Sequence, residues 1–165
     1  IQKQSMLKNV LLISIEILAL IMAGCGYHLI NPEQKTVYVE PFSNHTLQPK
    51  MEQFLLKNIR KTLAQAPGFM LVSKKSDASV VISGKIIKFS RNPEFIDRSD
   101  QIVMASYTVG VLLDIEKDGA TLRQKIEQTY FMELQSHFRL DQILDAVSKK
   151  VARDVYFWLI QSYGK

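Results

Sequence analysis

Cys25 is the only cysteine in a chain of 165 residues, so the single thiol sits in the stretch Met22-Ala23-Gly24-Cys25. The other reactive side chains are dispersed. His28, His45 and His137 lie far apart and match no metal-binding spacing such as H-E-x-x-H. No serine lies in a G-x-S-x-G turn. Gly24-Cys25-Gly26 lacks the G-K-[ST] that completes a phosphate loop. His28 reads as a surface residue rather than a ligand. These patterns argue against catalysis, and a non-enzymatic protein with no cofactor and no metal is expected. No cysteine follows Cys25, so no disulfide framework stabilises the fold.

The surroundings of Cys25 say what the thiol is for. Lys3 and Lys8 precede an apolar run from Val10 to Ile21, and small residues precede the cysteine. A basic start, a short apolar core and a small-residue cut site make a secretory signal. A cut site that ends on cysteine resembles the bacterial lipobox, where the thiol is acylated and the chain is cleaved just before it. The run is shorter than the about 20 apolar residues of a spanning helix, and it holds Glu16, costly at a bilayer centre. The expected organisation is a lipoprotein signal peptide over 1–24, a lipidated tether over 25–35 and a folded domain over 36–163. Met6-Leu7-Lys8-Asn9 makes an ordinary basic start, so Met6 is expected as the first residue. The competing reading is an uncleaved amphipathic anchor with a buried free cysteine.

Composition is that of a globular protein, 47% hydrophobic and 22% charged, with net charge +5. That is a mild bias towards anionic partners. For a secreted lipoprotein, anionic lipid or saccharide phosphate fits better than nucleic acid.

The elements that must position any site follow from periodicity. Thr36–Glu40 is β-branched and aromatic, a strand, and Pro41-Phe42-Ser43-Asn44 reads as a turn. Pro49 suits a first helical position. Met51, Leu55, Ile59, Leu63 and Ala66 form one helical stripe, and Pro67-Gly68 ends it. Phe69–Val72 is a short strand. Ala78–Ser90 is a longer one with Val80, Ile82, Gly84 and Ile86 on one face. Residues 90–100 read as a polar loop. Ile102–Glu116 alternates, with Val103, Ala105, Tyr107, Val109, Val111, Leu113 and Ile115 on one face. Asp118-Gly119 marks a hairpin, and Thr121–Leu134 returns with Leu122, Ile126, Tyr130, Met132 and Leu134 on one face. A last helix spans Asp141 to Gln161, capped by Asp141, with a stripe of Leu144, Val147, Val151, Val155 and Trp158. The expected fold is α+β: an antiparallel or mixed sheet of about four strands with two helices packed on one face.

Several motifs then point to one family. Cys25-Gly26-Tyr27-His28-Leu29, Val37-Tyr38-Val39-Glu40-Pro41-Phe42-Ser43-Asn44-His45-Thr46, Asp77-Ala78 with Ile82-Ser83-Gly84-Lys85-Ile86, and Tyr107-Thr108-Val109-Gly110-Val111 resemble, in order and spacing, the LptE family of lipopolysaccharide-assembly lipoproteins. The resemblance runs over most of 25–160. It implies a non-enzymatic lipoprotein in the outer membrane, on its periplasmic side, that plugs and helps assemble a large LptD-like β-barrel and binds lipopolysaccharide. Gly26 after the modified cysteine is compatible with outer-membrane sorting.

Strand parity puts Lys85, Arg123 and Lys125 away from the apolar faces, and places Arg91 and Arg98 in the adjoining loop. Lys and Arg pair well with the phosphates of lipid A. By resemblance the family's binding residues are basic side chains in this loop and on the strand after the hairpin, so Arg98 and Lys125 lead the set and Lys85, Arg91 and Arg123 complete it. The plainer alternative is a solvated face that keeps the sheet soluble. Trp158 and Tyr156 read as core, or as a contact to the barrel wall.

A different class of function is a periplasm-facing regulator of a cell-wall synthase. Such a domain needs a long tether, and the short stretch from Gly26 to Lys35 favours the plug. A carrier for an apolar ligand would need a wide cavity.

The lipobox yields a direct expectation. The membrane-extracted chain should begin at Cys25 and carry two or more acyl chains, since a single chain binds membranes only marginally, at about 10⁴ M⁻¹. Intact mass decides it, and an unmodified chain that retains 1–24 would refute it. Cys25→Ala should release a folded domain from the membrane.

Overall fold

The structure, a computed structural model, describes residues 34–99, 101–133 and 139–163. Cys25, the leader, His28, nearly all of the tether, Leu134 and His137 lie outside the described residues.

The elements run β1 (Lys35–Val39), β2 (Ser43–Asn44), α1 (Met51–Ala64), β3 (Phe69–Leu71), β4 (Val80–Ile96), β5 (Ile102–Lys117), β6 (Ala120–Glu133) and α2 (Leu140–Tyr163). They form one mixed sheet of six strands in the order β3-β1-β4-β5-β6, with β2 beside β4. The α+β class and the paired helices match the sequence reading. The strand count exceeds the expected four because two short parallel strands, β2 and β3, add to it. Among the described residues no helix is long and apolar enough to cross a membrane.

One sheet face carries the core. Met51, Leu55, Ile59 and Leu63 of α1 and Val147, Val151 and Val155 of α2 bury against Val109, Val111, Leu113 and Ile115 of β5. Tyr107 lies on the same face, where it packs with Ala105 and with Ile143 of α2 in a second, smaller cluster. The stripe on α2 closes with Leu159, fully buried, while Trp158 is only half-buried. Asn58, a polar residue inside this core, donates to the Phe54 carbonyl at 3.0 Å and to Asp145 Oδ1 at 3.1 Å, tying α1 to α2.

Three local expectations are corrected. Pro49 is not the first helical residue; α1 starts at Met51, and Lys50 before it takes a left-handed conformation at φ 67°. Asn44 organises this entry instead, donating to Gln48 O and Glu52 Oε2, both at 2.8 Å. Asp141 lies inside the first turn of α2 and is not its cap, although its charge suits the positive end of the helix dipole. Phe42 is buried rather than part of an open turn, because Gly84 leaves it room: a Cβ there would sit 2.8 Å from the Phe42 ring.

The largest correction concerns 90–100. This stretch is not a loop. β4 continues to Ile96, paired with β5 nearly to its start, and only the turn around Asp97–Gln101 is left. β1 and β2 cover β4 only as far as Ile86. The remainder is an edge, where a sheet tolerates Pro93.

The shared core predicts the effect of a buried charge. Val151→Asp should lower stability by several kcal/mol, since an unpaired carboxylate has no partner there. Denaturant unfolding measures it, and an unchanged midpoint would show that α2 does not dock.

Candidate functional site

The strand register decides which cations share a face. Lys85, Leu112 and Lys125 form one row across β4, β5 and β6, on the side away from the helices. Asp114 and Arg123 lie in the row on one side of it, and Lys88, Gly110 and Glu127 in the row on the other. Lys85, Arg123 and Lys125 therefore share the outer face, as parity predicts.

Arg91 does not join them. The register shifts between Ile86 and Lys88, which inserts Ile87 as a bulge. One extra residue reverses the side-chain alternation beyond it. Arg91 then stands opposite Tyr107, on the helix side, with its guanidinium 5.9 Å from the Tyr107 ring centre. Arg98 is also apart. It lies in the turn beyond Ile102, ten residues of β5 away from the Lys85–Lys125 row, roughly 30 Å along the strand. Arg98 and Lys125 cannot hold one phosphate together.

Carboxylates take up much of the charge on the outer face. Arg123 grips Asp114 with two bonds, Nε to Oδ1 at 2.6 Å and Nη2 to Oδ2 at 3.1 Å. Lys88 crosses above Gly110 to reach Glu127 Oε1 at 2.6 Å, and Lys125 sits 3.6 Å from the other oxygen. A Cβ on residue 110 would lie 3.0 Å from that of Lys88, so glycine keeps this crossing open. The hydrogen bond from Arg123 holds the Asp114 carboxyl below its ordinary range, with Lys85 adding to the field. Lys88 does the same for Glu127, helped by Lys125.

Along the ribbon of β4, β5 and β6 the outer face changes character. Beyond the charged rows come Ser90, Thr108 and Thr129, with the two threonine hydroxyls 2.9 Å apart. Beyond those the surface turns apolar. Phe95, Ile96, Ile102 and Phe131 are exposed near the end of the β4–β5 hairpin, Phe95 by 60%. The turn that joins the strands is organised by Asp97, whose Oδ1 accepts from the Ser99 hydroxyl at 2.7 Å and from the backbone N–H groups of Ser99 and Gln101. Those bonds, led by Ser99, lower the Asp97 pKa. Arg98 sits in this turn, exposed, two residues after Ile96 in the chain. The sequence reading missed the apolar group by treating 90–100 as a loop. Phe95-Ile96 close before Asp97, with Ile102 after the turn, was the available signal for a hairpin tip. Among the described residues no three His, Cys, Asp or Glu side chains converge as metal ligands.

The sequence matches no family model and no curated protein. Solved structures do share the fold. The hypothetical protein CT253 from Chlamydia trachomatis matches at TM-score 0.54 and 8% identity, over 76% of this chain and 95% of that one. Rare lipoprotein B from Shewanella oneidensis matches at TM-score 0.50 and 10% identity, over 76% and 96%. An uncharacterised lipoprotein B from Nitrosomonas europaea matches at 0.47 and 14%, over 79% and 87%. At these identities the likeness is one of fold, and its neighbours include bacterial lipoproteins.

The lowered carboxylates set the acid behaviour. Asp114 and Glu127 have folded pKa values below their ordinary ones, so their contribution is full above the ordinary carboxylate range and is lost as pH falls through the folded values. The melting temperature should hold near neutrality and fall below about pH 4. Asp114→Asn with Glu127→Gln should flatten that fall; an unchanged acid profile would show that these exposed pairs contribute nothing.

Proposed function

We propose that this chain is a non-catalytic lipoprotein, anchored in the outer membrane on its periplasmic side through acylated Cys25, that plugs and supports an LptD-like β-barrel and binds lipopolysaccharide in transit to the cell surface. The lipobox-like stretch, the ordered family motifs and a fold shared with a solved bacterial lipoprotein support the reading. The observation that carries the ligand is the hairpin tip, where Phe95, Ile96 and Ile102 are exposed within a few residues of exposed Arg98, with Phe131 exposed farther along the ribbon. Apolar side chains beside a cation match an amphiphile that joins acyl chains to phosphate. The Lys85–Lys125 rows suit a partner wall better, because most of their charge is already balanced and the surface is polar. A barrel lumen presents polar walls of that kind.

Two measurements test the two halves of the proposal. Detergent extraction of the acylated chain should recover a one-to-one complex with a large outer-membrane barrel, and depletion should lower the level of that barrel. Purified protein should bind lipopolysaccharide more weakly as salt rises. Arg98→Glu with Phe95→Ser should weaken binding about tenfold or more, since a large apolar side chain contributes about 1.5–3 kcal/mol when buried and a single exposed ion pair about 0–1 kcal/mol. Lys125→Glu, remote from the tip, should change it little. If Lys125→Glu abolishes binding and the tip variant does not, the ligand lies on the charged rows.

A further inference from the structure

β6 ends the sheet, and no described strand pairs with its far side over Ala120–Glu133. The direction of its backbone groups is visible in two contacts. Lys150 Nζ reaches the Thr129 carbonyl at 2.7 Å, and Gln124 Nε2 reaches the Lys125 carbonyl at 3.4 Å. Antiparallel pairing turns both backbone groups of alternate residues the same way, so the groups of Arg123, Lys125, Glu127 and Thr129 face outward from the sheet.

Natural edges are usually guarded by charges, proline or brevity. β6 is 14 residues long and contains no proline. Two of its charges are drawn inward over the sheet, Arg123 to Asp114 on β5 and Glu127 to Lys88 on β4, while Lys125 stays on the strand beside Glu127. Beside the strand an open cleft of about 380 Å³ runs between β6 and α2, lined by Ile126, Asp154, Phe157 and Trp158 among others. Phe157 is 52% exposed, and Leu122 on the same side of β6 is also exposed.

We propose that β6 is a self-association edge, on which a second copy of this chain adds its own β6 antiparallel about a two-fold axis at Ile126. The charges select the register. With Ile126 opposite its mate, Lys125 faces the other copy's Glu127 twice over, Arg123 faces Thr129, and Thr121 faces Phe131. Moving the axis one residue either way sets Lys125 against Lys125 or Glu127 against Glu127, which cross-strand pairing disfavours. The selected register also spans nearly all of β6. On the helix side it brings Ile126 against Ile126 beneath the two clefts, so that each copy's Phe157 and Trp158 cover apolar surface that is open in the single chain. Lys150 and Gln124 give up their carbonyls to the incoming strand. This inference goes beyond the proposed function and concerns the chain before it enters a barrel; Arg98 and Phe95 lie at the hairpin tip and not on this edge.

The full chain, extracted from membranes that lack the barrel, should be dimeric by native mass spectrometry. Ile126→Cys should form an inter-chain disulfide on mild oxidation in the membrane, since a non-hydrogen-bonded pair brings Cα atoms to about 4.5 Å, within disulfide reach. Gln128→Cys, whose mate is Gln124, should not, and neither should the wild type with Cys25 alone. Glu127→Pro removes an outward N–H together with the carboxylate that holds Lys88 and would meet the other copy's Lys125; because an edge strand tolerates proline, it should keep the fold by circular dichroism and abolish the dimer. A monomeric wild type, equal cross-linking through Gln128→Cys, cross-linking of Ile126→Cys only to a different protein, or a dimer that survives Glu127→Pro would each overturn the proposal.

Discussion

One extra residue in β4 determines which way the side chains from Lys88 to Pro93 point. Before Ile87 the even-numbered residues of β4 face the helices; from Phe89 to Pro93 the odd-numbered ones do, until a second shift before Phe95 returns the outer face to the tip. Without that bulge Lys88 would point into the core and Phe89 out of it. With it, Phe89 packs against the core, Arg91 lies over Tyr107 and Lys88 crosses the outer face to Glu127. The register of β5 against β4 past Ile86 depends on the same residue, and so does the composition of both faces of the ribbon. Gly110 is its counterpart on β5, where any side chain would crowd the Lys88 crossing.

This explains which parts could be read from the sequence. The stripes of α1 and α2, the alternation of β5 and the hairpin at Asp118-Gly119 are local periodicities, and they stand where the pattern puts them except at the helix ends, where Leu159 replaces Trp158 and Ala66 lies past α1; Asp118 and Gly119 both take positive φ, as that turn demands. The outer-face placement of Lys85, Arg123 and Lys125 followed from parity alone. Arg91 did not, because a bulge is a property of two strands together and leaves no periodic trace in one. The loop expected over 90–100 had the same origin. Pro93 and Asn92 favour turns locally, yet an edge strand accepts them once β5 supplies the pairing partner. β3 was legible as the short strand Phe69–Val72, but β2 is too short to show a period, and only parallel pairing with β4 defines it.

The five cations singled out by residue type divide by environment. Arg123 is held by two hydrogen bonds to Asp114, Lys125 shares Glu127 with Lys88, and Arg91 covers an aromatic ring. An anionic ligand at these positions must displace an existing partner. Lys85 and Arg98 are in no ion pair among the described residues, but Lys85 has Asp114 within its field. Arg98 has no ion pair among the described residues and stands near exposed apolar side chains in the chain, so a ligand there would displace no described partner.

The tip is also presented rather than merely uncovered. Exposed Phe and Ile side chains on a slack loop would fold back onto the nearest apolar surface. Here Phe95 and Ile96 belong to a strand whose ladder to Met104 and Ile102 continues to the turn, and Asp97 clasps that turn through Ser99 and Gln101. The side chains therefore cannot turn inward without breaking backbone hydrogen bonds, each worth about 0.5–1.5 kcal/mol net. A projecting ribbon that keeps apolar groups in water at its end is costly unless something covers them. The rigidity that prevents their collapse also leaves a preformed surface, on which a bound acyl chain would lose its own freedom without first ordering the protein.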